Sequence, residues 1–73
     1  MNATLGNRIV HPDTLMEAIV TAESIGYSFD LTPTATGVVA HGERRTPTDL
    51  FRIEVVGRDA NDACRRFVRL VRS

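Results

Sequence analysis

Lysine and tryptophan are absent from this chain: all nine of its basic residues are arginine. Three Phe and one Tyr are its only aromatic residues, which leaves little for stacking on nucleic-acid bases. A single cysteine, Cys64, excludes an internal disulfide and any multi-cysteine metal site. No apolar run approaches the roughly 18 residues that a membrane span needs, and the N-terminal MNATLGNRIV has no apolar region of signal-peptide length. Net charge is zero, with nine basic and nine acidic residues, so bulk electrostatics draw in neither nucleic acid nor an anionic membrane. These absences point to a soluble, cytoplasmic protein.

What is present is ordinary for a globular domain: 42% hydrophobic and 25% charged residues over 73 positions, one domain spanning 1–73. A chain this short buries only about 60% of its unfolded surface, so its stability is thin unless a partner shares the core.

The order of elements follows from periodicity. Thr4–Val10 reads as a short strand, ended by His11-Pro12. Asp13–Ile25 reads as a helix, with Thr14 and Glu17 spaced as a capping box. Its apolar stripe is Leu15, Ala18, Ile19, Ala22 and Ile25, and Gly26 stands at its C-terminal stop. Tyr27–Leu31 alternates as a half-buried strand with Tyr27, Phe29 and Leu31 inward. A turn around Pro33 leads to a short strand over Gly37–His41, and His41–Asp49 reads as a connection. Leu50–Val56 is the strongest strand, with Phe51, Ile53 and Val55 on one face and Arg52 and Glu54 on the other. Asp59 is placed to cap a final helix, Ala60–Val71, whose stripe is Ala60, Ala63, Cys64, Phe67, Val68 and Val71. The expected class is therefore α+β, β-α-β-β-β-α. Its sheet is antiparallel or mixed with both helices on one face, ferredoxin-like or double-stranded-RNA-binding-like.

Candidate chemistry is sparse. His41, Gly42 and Glu43 offer one His and one carboxylate, short of the three or four ligands a zinc site uses, and His11 would have to converge on them. No serine has a nucleophile-elbow context, the carboxylates stand singly, and Cys64 falls on an apolar stripe. No catalytic residue and no cofactor is expected. Four arginines, Arg65, Arg66, Arg69 and Arg72, share the outer face of the last helix. They suit phosphate contacts or a solvated face that complements the helix dipole. The stretch Gly42–Arg52 is the densest in charge. There Arg44, Arg45 and Arg52 offer guanidinium forks, while Thr46, Thr48, Asp49 and the backbone around Pro47 suit an anion-binding nest or a plain hairpin loop.

From Gly6 to about Leu70 the chain resembles a small domain found in archaeal and cyanobacterial proteins. These are named after lysine–oxoglutarate reductase/saccharopine dehydrogenase (LOR/SDH), and some members are ornithine cyclodeaminases. The residues that carry the likeness are GNRIV before the first helix, IGYSFDL after it, RTPTDLFRIEVVGRD, and a closing amphipathic helix. The family loop reads basic, Thr, Asp, Pro, Ser, aromatic, any residue, Arg. Arg45, Thr46 and Arg52 match it at the same spacing. Pro47-Thr48-Asp49 replaces Asp-Pro-Ser, and Leu50 stands where the aromatic belongs, with Phe51 one place later.

The resemblance implies a non-catalytic module of amino-acid (ornithine, arginine or lysine) metabolism that assembles as a homo-oligomer. It would hold an anionic small molecule, an amino acid or a partner enzyme through Arg44, Arg45, Thr46, Thr48, Asp49 and Arg52. The alternative is a nucleic-acid-binding module using Arg65, Arg66, Arg69 and Arg72. Against it, Asp59 and Asp62 place acid at the start of the last helix, where that class is basic.

Overall fold

The computed structural model describes residues 11–73, so the strand expected over Thr4–Val10 lies outside the described residues. Helix α1 (Pro12–Ser24) leads to strands β1 (Ser28–Pro33), β2 (Val38–Arg45) and β3 (Leu50–Gly57), and helix α2 (Ala60–Arg72) closes the chain. The strands form one antiparallel sheet in the order β1-β2-β3. This is an α+β fold: helix, three antiparallel strands and helix among the described residues.

Helix α1 starts differently from the expected capping box. Its N-cap is His11, no side chain caps it, and Pro12 occupies the first turn. Proline is already fixed near helical φ and has no N–H left to satisfy, so it starts the helix before Thr14 can. The far end behaves as expected: Gly26 adopts φ 81°. Its N–H donates to Glu23 O (3.0 Å), and the Tyr27 N–H donates to Ala22 O (2.9 Å), closing a Schellman turn. The chain unwinds at Ile25, which swings off the stripe and is exposed. Thr21 is buried beside Ala18 and Ala22 in its place.

Helix α2 is capped by Asp59, whose carboxylate accepts from the Asp62 N–H at 2.8 Å. The helices run side by side in one direction. The His11 N–H donates to Asn61 Oδ1 where both begin (3.1 Å), and Arg72 at the end of α2 reaches Glu17 (3.3 Å).

Both hairpins use one device. Thr34–Gly37 joins β1 to β2, and Thr46–Asp49 joins β2 to β3. In each, the first Thr N–H donates to the carbonyl of the fourth residue, at 2.7 and 2.8 Å. In each, the Thr Oγ1 also accepts from the fourth N–H, at 3.1 and 2.9 Å. Strand β2 therefore runs on through Arg45, and the connection expected to begin at His41 shrinks to four residues. The register explains why: Gly42, Glu43, Arg44 and Arg45 all find partners on β3.

The register also sorts the sheet into two faces. Phe29, Leu31, Val38, Ala40, Ile53 and Val55 meet the helices, and the core closes around Ala22, Ala40, Ala63 and Phe67. Ser28, Asp30, Thr32, Val39, His41, Glu43, Arg52, Glu54 and Val56 line the other face, which no helix among the described residues covers. Phe67 is the keystone side chain. It meets Phe29 edge-on at 4.9 Å between ring centroids and lies over Gly42, where a Cβ would sit 2.9 Å from its Cζ.

Truncating Phe67 to Ala should cost about 3–5 kcal/mol, and Gly42→Ala about 1–3 kcal/mol by pushing the ring aside. In a Phe67→Leu background the cost of Gly42→Ala should shrink toward zero. Urea unfolding of the four variants checks this, and strictly additive costs contradict the contact.

Candidate functional site

The expected site divides between the two faces of the sheet. Arg44 belongs to the helix-side face, where its guanidinium lies 5.7 Å from the centre of the Phe51 ring. Its stem passes beside Gly26, whose hypothetical Cβ would sit 3.7 Å from Arg44 Cδ. Arg45 and Arg52 project from the open face. Arg45 Nη2 donates to Glu43 Oε2 at 3.1 Å, and Arg52 stands opposite Glu43 in the ladder. The hydrogen bond from Arg45, with the charges of Arg45, Arg52 and His41 added, holds the Glu43 carboxyl below its ordinary value.

Thr46, Thr48 and Asp49 turn their polar groups on one another. Besides the loop clamp, Thr48 Oγ1 donates to Asp49 Oδ2 at 3.1 Å. The twin loop at Thr34–Gly37 is built the same way with no arginine adjacent in sequence, so hairpin closure alone accounts for Thr46. Arg44, Arg45 and Arg52 thus do not converge on one anion.

His41, expected in a loop or at a strand edge, sits half-buried at the centre of the open face. Its Nδ1 is 3.6 Å from Asp30 and its Nε2 is 3.7 Å from Glu43. Asp30 and Glu54 flank it in register. No group of three or more His, Cys, Asp or Glu side chains among the described residues is spaced to hold a metal ion. Cys64 is wholly buried, and burial pushes its thiol above the usual range, away from the thiolate a nucleophile needs.

The arginines of α2 are exposed, as their spacing predicted, but two are engaged within the chain. Arg66 Nε donates to Asp62 Oδ2 at 3.0 Å, and Arg72 pairs with Glu17 of α1 at 3.3 Å. Asp62 also accepts from the Arg58 backbone N–H at 2.9 Å. That bond first, and the Arg66 guanidinium with it, hold the Asp62 carboxyl below its ordinary value.

The feature not foreseen is the outer flank of β3. Leu50, Phe51 and Val56 of β3 and Leu70 of α2 are four of the seven large hydrophobic side chains left exposed among the described residues. Between the strand and the helix lies a groove of about 350 Å³ lined by Val55, Arg66, Arg69, Leu70 and Ser73. Leu70 carried the available signal, being the one apolar residue of α2 that falls off its buried stripe.

No family model, no curated protein and no solved structure matches the chain. No helix among the described residues is long and apolar enough to cross a membrane.

Both lowered carboxyls contribute stability that is complete above the ordinary carboxylate range and is lost as pH falls below it. Asp62→Asn should lower the urea midpoint at pH 7 and flatten its decline between pH 7 and pH 3. A decline as steep as that of the parent contradicts the assignment.

Proposed function

We propose that this chain is a non-catalytic module that works by association, and that its first partner is itself. The observation that carries the reading is the apolar outer flank of β3 and α2. Leu50, Phe51, Val56 and Leu70 are exposed there, at 45, 42, 58 and 51%. Large apolar side chains left exposed along a strand edge and the helix beside it are what an interface looks like before it is covered. The inside of the molecule gives the complementary reason, since Phe67 and Cys64 are its largest fully buried side chains. So small a core gains more from shared burial than a larger domain would.

The resemblance adds a context, an assembly serving an enzyme of ornithine, arginine or lysine metabolism. Its support is the match at Arg45, Thr46 and Arg52. An anionic ligand held jointly by Arg44, Arg45 and Arg52 is the weaker half of that context, because Arg44 lies on the face opposite to the other two. Binding of duplex RNA is favoured by the element order alone. It is disfavoured by Asp59 and Asp62 at the start of α2 and by the pairing of Arg66 and Arg72 within the chain.

Sedimentation equilibrium from about 1 µM to about 1 mM tests the reading. The mass should rise from 8.1 kDa toward twice that value. Leu70→Glu should weaken the rise while leaving the urea midpoint nearly unchanged, because Leu70 is exposed. A single 8.1 kDa species throughout contradicts the proposal.

A further inference from the structure

The sheet has two edges among the described residues, and they differ in kind. On the edge strand β1 the residues of the open face are Ser28, Asp30 and Thr32, all polar, and the strand ends at Pro33, which has no N–H to offer. Strand β3 is eight residues long, lacks proline, and bears exposed Leu50, Phe51 and Val56. Its outer side is paired with no strand among the described residues. An unguarded edge of this kind is a template for another strand.

The sequence of β3 is complementary to itself. We infer that two copies of this chain join β3 to β3 in antiparallel register about a two-fold axis at Ile53, forming one six-stranded sheet. The inference rests on the self-association proposed above and names its surface and register. In that register Arg52 stands opposite Glu54 of the second copy, Leu50 opposite its Val56, and Phe51 opposite its Val55. Each pair joins residues of one face. The charged pair and the Leu–Val pair lie on the open face, and the Phe–Val pair lies on the helix side, as the ladder with β2 requires.

Neighbouring registers fail on elementary grounds. Centring the axis on Arg52 sets two arginines face to face, and centring it on Glu54 sets two glutamates face to face, each an unfavourable pair. A slip of one residue puts Arg52 against Ile53 and turns the helices of the two copies to opposite sides. The Ile53 register alone pairs opposite charges and keeps the helices together.

Two further features fit it. Asp30, His41 and Glu54 already form one row across the open face, and Glu43 stands opposite Arg52 in the next row. Across the axis the first row continues into Arg52 and then Glu43 of the second copy, which sets a guanidinium between the Glu54 and Glu43 carboxylates. On the helix side, Phe51 of each copy falls opposite Val55, which lines the groove shared with Arg66, Arg69, Leu70 and Ser73. The groove of about 350 Å³ thereby receives an aromatic ring from the other copy.

Register-specific cross-linking in the full chain is the test. Residues directly opposed in an antiparallel pair have Cα atoms about 4.5–5.5 Å apart, within the span of a disulfide. A mixture of Leu50→Cys and Val56→Cys proteins should form a mixed disulfide dimer under mild oxidation. Neither variant alone should cross-link above the parent, whose Cys64 is buried. Independently, Arg52→Glu and Glu54→Arg should each weaken dimerisation by about tenfold. Mixing the two variants should restore it, since an all-acid edge then meets an all-base edge. A dimer by mass with no mixed disulfide and no restoration overturns the β3 register while leaving self-association standing. A chain that stays monomeric at every concentration overturns both, whether its own first ten residues or another protein covers the edge.

Discussion

The seating of Phe67 over Gly42 governs the rest of this structure. A residue with a side chain at position 42 would meet the ring at about the distance where atoms repel, so the middle strand can accept an aromatic only because it offers bare backbone there. That contact sets α2 above β2 and anchors the hydrophobic cluster of Ala22, Ala40, Ala63 and Phe29. Helix α2 packs on both β2 and β3, and Leu70 near its C-terminal end is left exposed beside a groove at β3.

Where local physics decided the outcome, the elements were legible in the sequence. The period-two alternation of β1 and β3, the stop at Gly26 and the Asp59 cap all appear as read, because each depends on residues close in sequence. Two boundaries were not legible. Gly42-Glu43-Arg44-Arg45 looks like a loop by composition, yet its register with β3 makes it strand, because pairing with an already good strand outweighs weak intrinsic preference. The start of α1 went to Pro12 over the Thr14–Glu17 pattern, since a proline that needs no hydrogen bond is the less demanding beginning.

The charged residues show why a site is harder to read than a fold. One-dimensional density grouped Arg44, Arg45 and Arg52, but strand alternation places Arg44 on one face and the other two on the opposite face. Glu43 and Asp62 become the carboxylates that hold Arg45 and Arg66. Thr46 is spent on closing a hairpin, as Thr34 is. Of the seven large hydrophobic side chains exposed among the described residues, four lie on β3 and on α2 beside it.

The proposed working surface of this chain is the outer side of β3, where Arg52 and Glu54 stand between the uncovered Leu50, Phe51 and Val56. Amide hydrogen exchange followed residue by residue at a low and a high protein concentration tests that placement most directly. If the account holds, the β3 amides that point away from β2 exchange freely when dilute and become protected when concentrated, while those of β1 do not change. Equal exchange of the β3 amides at both concentrations, or protection that gathers on β1 or α1 instead, contradicts it.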